Sequence, residues 1–332
     1  MRETINFVDS SILYIACTFL GGAGAWLISR WGSSFGLLDK ANDRSSHEGT
    51  VPKGGGIGIL AAFFVCSIVF SIPKSFWIPA VFLSLLSLWG DRSEIRPKIR
   101  LLFQLAAGTV LLIGILMGKG RGIGAYALIP LLTIFVVGTA NYYNFMDGIN
   151  GIAGITGLVG FGLLGWFGAA WGADPRIITL CVCMSIACLG FLPFNVPKAR
   201  VFMGDVGSVL LGFVFAGLVV WVSRSLLDFV CAASFLFPFY ADELTTLVVR
   251  IKDGDRLTRP HRRHLYQLLA NEYGIEHWQV SLGYGLSQLI IGVSILLIKN
   301  IGILAVISAL LFYFCCFIGM SCAVRGKLLQ KI

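Results

Sequence analysis

Long apolar runs fill most of this chain, and they leave it a single compatible solvent. A helix needs about 17–25 apolar residues to cross a hydrocarbon core. Runs close to that length fall at roughly 11–29, 54–72, 76–90, 101–117, 123–140, 151–171, 177–193, 207–223, 226–246, 281–298 and 300–323. The expectation is an all-α polytopic membrane protein with about eleven transmembrane helices, or ten if one short pair merges. Composition agrees: 57% of the 332 residues are apolar and 13% are charged, where a soluble globular domain carries about a quarter charged residues. The first run follows Arg2, Glu3 and Asp9 without a basic n-region or a small-residue cleavage site, so it reads as a retained helix. Residues 1–332 are taken as one integral membrane domain.

Sidedness follows from Lys and Arg, which concentrate in cytoplasmic loops. One set of alternate loops holds nineteen of the 26 basic residues, and the other set holds seven, among them Lys74, Lys119, Arg176 and Lys299. The basic set spans about 30–53, 91–100, 141–150, 194–206 and 247–280, together with the C-terminus. With eleven helices, the N-terminus is then periplasmic and the C-terminus cytoplasmic. The nine cysteines lie in apolar runs with no CxxC pair, and they are read as packing residues.

Chemistry-bearing side chains gather in those basic loops. Charged groups beside hydrocarbon are costly, so several on one face suggest a reaction centre. In VFMGDVGS (201–208), Asp205 lies between Gly204 and Gly207 at the start of an apolar run. That placement suits either a hard-cation ligand or a cap on the following helix. In NYYNFMDGING (141–151) the asparagines, Asn144 and Asn150 among them, and the glycines can be simple turn formers, whereas Asp147 suggests binding of a nucleotide or placement of a cation. Arg96, Lys98 and Arg100 beside Asp91, and Lys198 and Arg200 beside Asp205, suit a phosphate-rich ligand bridged by a metal. His47, Lys53 and Gly54–Gly56 precede a spanning helix, where glycine amides can cradle phosphate or simply allow close packing. His261 and His264, with Arg262 between them, would share a helical face, either on a pyrophosphate or on a leaflet-resting helix. A zinc site lacks further ligands there.

Five segments in order resemble the polyprenyl-phosphate N-acetylhexosamine-1-phosphate transferases: PKGGG (52–56), GDRSEIRPKIRLL (90–102), NFMDGINGIAG (144–154), FNVPKARVFMGDVGS (194–208) and HRRHLYQ (261–267). The last is most similar to the branch that starts O-antigen and related surface polysaccharides. The resemblance implies transfer of a sugar 1-phosphate from a UDP-N-acetylhexosamine to undecaprenyl phosphate at the inner membrane, with release of UMP and Mg2+ or Mn2+ as cofactor. By the same resemblance Asp205 and Asp91 are metal ligands, and Asp91, Asp147, Asp205, His261 and His264 are catalytic. His47, Lys53, Asn144, Asp147, Asn150, Asn195, Arg200 and Arg262 are then substrate-binding. Partners would be the two substrates and membrane lipids, with no nucleic acid, and a homodimer is an allowed assembly. The chain departs from the family in two places: Gly90-Asp91 replaces paired aspartates, and Asn150 replaces the second acid of DGxDG. A lipid-linked-sugar binder without catalysis and a flippase for an anionic lipid are the competing readings.

Overall fold

The computed structural model describes residues 7–40, 46, 49–93, 95–120, 122–256 and 261–329. In chain order they form α1 (Phe7–Trp31), β1 (Leu38–Lys40), β2 (Thr50–Pro52), α2 (Ile57–Val69), α3 (Lys74–Arg92), α4 (Pro97–Gly118), α5 (Ile129–Phe145), α6 (Ile152–Ala170) and α7 (Pro175–Phe191). There follow α8 (Asp205–Val222), α9 (Leu226–Ala233), α10 (Phe237–Lys252), the single turn α11 (Leu265–Gln267), α12 (His277–Ile298) and α13 (Ile303–Leu329). Each expected span coincides with one of these helices or, for 226–246, with the pair α9 and α10.

Eight helices among the described residues are long and apolar enough to cross a membrane. The other three expected spans differ for local reasons. Helix α2 has 13 residues because Gly54–Gly56 ahead of it are drawn off to hydrogen-bond elsewhere. Helix α3 carries Lys74 at one end and Asp91 and Arg92 at the other. The run 226–246 is interrupted by a 3-10 turn at Ser234–Leu236, just before Pro238, which lacks the amide that would continue the ladder. This run also contains two acids, Asp242 and Glu243.

Helix α8 is the axle of the bundle. Of the eighteen residues of α8, 89% are buried, against 11% of an apolar eighteen-residue stretch of α13, so α8 is wrapped by protein and α13 faces lipid. Helices α3 and α5 pack along α8, and α1, α2, α6 and α7 form an adjoining block. Lipid is as apolar as leucine, so such helices associate by close packing rather than by the hydrophobic effect, and small residues permit it. Thus a side chain on Gly24 would strike the Gly58 backbone, and one on Gly190 would strike the Thr18 carbonyl.

Among the described residues, hydrogen bonds tie two stretches of non-helical backbone together at one end of the bundle. Strands β1 and β2 pair antiparallel with Asp39 opposite Val51. The chain then runs beside residue 202: the Phe202 amide donates to the Pro52 carbonyl at 2.8 Å, and Lys53 and Phe202 form a parallel bridge. The amides of Gly54 and Gly55 donate to the Phe202 carbonyl, and that of Gly56 donates to the Met203 carbonyl. Backbone at membrane depth needs such partners. Of the two readings open for these glycines, their bonded amides favour the structural one over the phosphate cradle.

Candidate active site

Because neighbouring helices run antiparallel, the ends of α3, α5 and α7 meet the starts of α4, α6 and α8 at that same end. There a cavity of about 310 Å3 is lined by Lys53, Asp91, Asn144, Asp147, Asn195 and Asp205, with Asp39, Ser46, Phe202, Gly204 and Gln267 among its other walls.

Asp205 is the first residue of α8, where the free amides and dipole of the helix favour a carboxylate. Gly204 occupies the capping position, so Asp205 is not a cap. Its two oxygens face a fork. Arg100, in the first turn of α4, donates from Nη1 to Asp205 Oδ2 at 2.6 Å and from Nη2 to Asn144 Oδ1 at 2.9 Å. Asn144 in turn donates from Nδ2 to Asp205 Oδ1 at 2.8 Å and to Ser208 Oγ at 2.9 Å. Three helices are thereby locked by one guanidinium, one amide and one carboxylate. Nearby, the Ser84 hydroxyl of α3 donates to the Val206 carbonyl at 2.6 Å and fixes α3 against α8.

Asp91, in the last turn of α3, has a nearly buried side chain. Its Oδ2 accepts from the Asp205 amide at 3.1 Å, and its Oδ1 pairs with Lys53 Nζ at 3.3 Å. Burial and the neighbouring Asp205 charge raise its pKa to about 6, against the pull of Lys53. Gly204 makes this approach: its φ is 72°, and a side chain there would stand 3.0 Å from Asp91 Oδ2.

Asp147 lies between α5 and α6 and lines the same cavity, and its carboxylate has no hydrogen-bonding or ion-pairing partner among the described residues. Desolvation, then the charges of Asp205 and Asp91, push its pKa up to about 8. Only when all three acids are ionised do they outnumber Lys53 and Arg100, and a bound cation would favour that state, with Asp147 having lone pairs to spare. This donor set fits a hard cation. The three carboxylates do not draw within 4.8 Å of one another, so a cation among them would complete its shell with water or phosphate oxygens, as Mg2+ commonly does.

Other expected residues take different positions. Asn195 is buried and structural on both sides: its Oδ1 accepts from the Gly151 amide at 2.6 Å, and its Nδ2 donates to the Val201 carbonyl at 2.9 Å. Asn150 donates to the Pro197 carbonyl at 3.3 Å and is not among the cavity residues. Arg200 is exposed and lies over the Phe194 ring. Arg262 pairs with Glu272 at 3.6 Å on the surface. His47 lies outside the described residues.

The histidine pair does not sit on a helix face. Residues 261–263 are irregular, and His264 is the N-cap of α11, with its backbone amide held by Gln267 Oε1. The two imidazoles lie 4.9 Å apart. His264 is buried, with Nδ1 3.7 Å from Asp242 and Nε2 3.6 Å from Glu243. Burial alone would lower its pKa, but the nearby Asp242 and Glu243 carboxylates outweigh burial and raise it. His261, desolvated and beside His264, Arg250 and Arg263, falls to about 4 and is neutral at pH 7. From this loop it is Gln267 that reaches the cavity.

Sequence reasoning passed over the residue that holds the loop. Asp242, fully buried in α10, accepts from the amides of Leu265 (2.8 Å) and Tyr266 (3.2 Å), and from the Tyr284 hydroxyl of α12 (2.7 Å). The signal was present, since an acid inside an apolar run needs a reason.

With this geometry in place, comparison with known proteins gives consistent results. Residues 74–223 match the family described as glycosyl transferase family 4. The chain is similar to that family over this stretch, which is less than half of its length. It is 28% identical over 257 residues to the undecaprenyl-phosphate alpha-N-acetylglucosaminyl 1-phosphate transferase of Escherichia coli (strain K12), covering 70% of this chain and 69% of the relative. A probable undecaprenyl-phosphate N-acetylglucosaminyl 1-phosphate transferase of Bacillus subtilis (strain 168) is 23% identical over 82% of this chain and 80% of its own length. The phospho-N-acetylmuramoyl-pentapeptide-transferase of Staphylococcus saprophyticus is 37% identical across a shorter stretch, 34% of this chain and 36% of that protein. The matched region holds the cavity residues Asp91, Asn144, Asp147 and Asp205, together with Arg100, which bonds to Asp205. Gly90 departs from the paired-aspartate pattern without crowding, since a side chain there would meet only Ile95, at 3.5 Å.

Proposed function

We infer that this chain transfers an N-acetylhexosamine 1-phosphate from a UDP-sugar to undecaprenyl phosphate, releasing UMP, as the first step of a surface polysaccharide such as O-antigen. The observation that carries the reading is the convergence of Asp91, Asp147, Asp205 and Lys53 in one cavity at the end of an apolar bundle, with Arg100 bonded to Asp205. A water-soluble diphosphate and a membrane-bound phosphate can meet only at such a boundary. The excess of basic residues in the loops at this end supports reading it as the cytoplasmic side of the inner membrane, with the N-terminus periplasmic and the C-terminus cytoplasmic. UDP-sugars and Mg2+ are available on that side.

In the reaction a lipid phosphate oxygen bonds to the β-phosphorus of the donor. The bond from that phosphorus to the bridging oxygen breaks, and UMP departs with the electron pair. Transfer between two anions is limited by charge and alignment rather than by covalent chemistry. Asp205, Asp91 and Asp147 would hold Mg2+ or Mn2+, which when bound neutralises the diphosphate. Arg100 and Lys53 supply fixed positive charge at the cavity wall. Asp91 has both oxygens engaged, by Lys53 and by the Asp205 amide. This engagement favours direct attack by the lipid phosphate over a covalent intermediate on Asp91, and makes Asp91 an electrostatic anchor. The lipid phosphate is already ionised near neutral pH and needs no strong base.

The test is UMP release by the purified chain with undecaprenyl phosphate, Mg2+ and a panel of UDP-N-acetylhexosamines. Turnover with at least one donor is expected. Silence across the panel, with retained binding of a lipid-linked sugar or with lipid translocation in vesicles, would replace the reading with a binder or a flippase.

A further inference from the structure

Away from the carboxylate cavity, three helices bring three thiols together. Cys17 of α1, Cys66 of α2 and Cys183 of α7 are buried, with their sulfurs all within 4.8 Å of one another and those of Cys17 and Cys66 3.4 Å apart. Among the described residues this is the only group of three or more Cys, His, Asp or Glu donors so closely drawn. Cys66 lies nine residues beyond Ile57, about 13–14 Å along α2 from the end that carries the acids.

The sulfur positions are held by backbone rather than by adaptable side chains. Gly21 of α1 packs on the Ala187 carbonyl, Gly24 on Gly58 of α2, and Gly190 of α7 on the Thr18 carbonyl. Where backbones touch, the three sulfurs cannot drift apart without breaking the packing. Three sulfurs ligating one ion at about 2.3 Å sit about 3.8–4.0 Å from each other. Each sulfur–sulfur separation in the cluster, from 3.4 Å to no more than 4.8 Å, lies within about 1 Å of that arrangement.

We propose that Cys17, Cys66 and Cys183 form a three-sulfur site for a soft d10 divalent cation of the Zn2+ and Cd2+ class. Hard oxygen donors select Mg2+ and thiolates select soft ions, so the two sites do not compete for one metal. Charge balance sets the protonation. Binding M2+ releases two thiol protons to solvent and retains the third, which gives a neutral unit and avoids an uncompensated charge among buried helices.

The test uses the full chain in detergent with Cys315, Cys316 and Cys322 changed to Ser, because those three thiols are exposed. Cd2+ is titrated under reducing conditions at saturating Mg2+, and the ultraviolet sulfur-to-cadmium charge-transfer band is followed. Cd2+ on carboxylates gives no such band. One Cd2+ per chain, retained through desalting, is expected. Cys17→Ala, Cys66→Ala and Cys183→Ala should each weaken binding at least about tenfold, while the buried controls Cys181→Ala and Cys188→Ala leave it unchanged. No band in the parent, or a band equally strong in the Cys183→Ala variant, overturns the site. Should the variants fail to extract, X-ray absorption on the Cd2+-loaded parent decides: three sulfurs at one distance support it, and fewer sulfurs overturn it.

Discussion

Changing Gly204 to alanine perturbs the proposed catalytic floor without touching a charged group. Gly204 has φ 72° and ψ 166°, a conformation that a residue with a side chain adopts at a cost of about 1–3 kcal/mol. The added methyl would also stand 2.7 Å from the Gly54 nitrogen, 2.9 Å from its Cα and 3.0 Å from Asp91 Oδ2. None of these can retreat freely. The Gly54 amide is bonded to the Phe202 carbonyl at 3.1 Å, and Asp91 Oδ2 is bonded to the Asp205 amide at 3.1 Å. Giving way loses at least one hydrogen bond, worth about 0.5–1.5 kcal/mol, or more for the charged acceptor. The combined cost is about 2–4 kcal/mol. Because the shift moves Asp91 relative to Asp205, turnover should fall about 10- to 100-fold, with thermal stability in detergent lowered but the protein still folded. Initial rates of UMP release and a melting curve measure both, and Gly90→Ala is the control because only Ile95 lies near that position. If Gly204→Ala matched Gly90→Ala in rate and melting, the claim that Gly204 sets the Asp91–Asp205 approach would be wrong.

Further expectations rest on the same cavity and its supports. Asp205→Asn keeps the shape but loses the charge facing Arg100 and a metal donor, so turnover should drop at least about 100-fold in a folded protein. Retained turnover with unchanged Mg2+ dependence would refute the assignment. Asp91 and Asp147 have folded pKa values of about 6 and about 8, above those of an unfolded carboxylate. Their contribution to stability is therefore full below the unfolded pKa of about 4 and is lost as pH rises through about 6 to 8. Metal-free protein should melt lower at pH 8.5 than at pH 5.5. Mg2+ should reverse the difference, and the half-saturating Mg2+ concentration should fall as pH rises across that window. A flat response would sever the link between these acids and the cation. Asp242→Asn should leave an amide facing buried N–H donors and loosen the histidine loop, costing about 3–5 kcal/mol locally. Faster limited proteolysis around 253–263 and slower transfer would be the readout, and wild-type behaviour in both assays would contradict it.

The membrane architecture was legible because eleven apolar runs need no tertiary information, and each coincides with a helix or a helix pair. Asp205, Asp147 and Asp91 stood out because carboxylates beside hydrocarbon are rare. Their mutual arrangement was not legible. Arg100 is one of four basic residues in a short stretch, and nothing local distinguishes the one that reaches Asp205 and Asn144 across sequence gaps of 105 and 44 residues. Asn195 and Gly54–Gly56 carry motif residues whose polar groups turn out to be spent on backbone, which spacing cannot reveal. The cysteine triad was invisible for the same reason, since its members are 49 and 117 residues apart and each sits in an ordinary apolar run.

The parallel bridge between Lys53 and Phe202 also sets a schedule for biosynthesis. The amides of Gly54, Gly55 and Gly56 wait for carbonyls that lie almost 150 residues further along the chain. A ribosome adding ~5–20 residues per second needs roughly 7–30 s to deliver them. Through that interval the nascent chain has its early helices but not the cavity, and Asp91 waits without the backbone amide of Asp205. A half-made copy stalled in the membrane is thus inert toward its substrates. Two separately expressed pieces cut beside the exposed Gly120 would have to find each other before either could act.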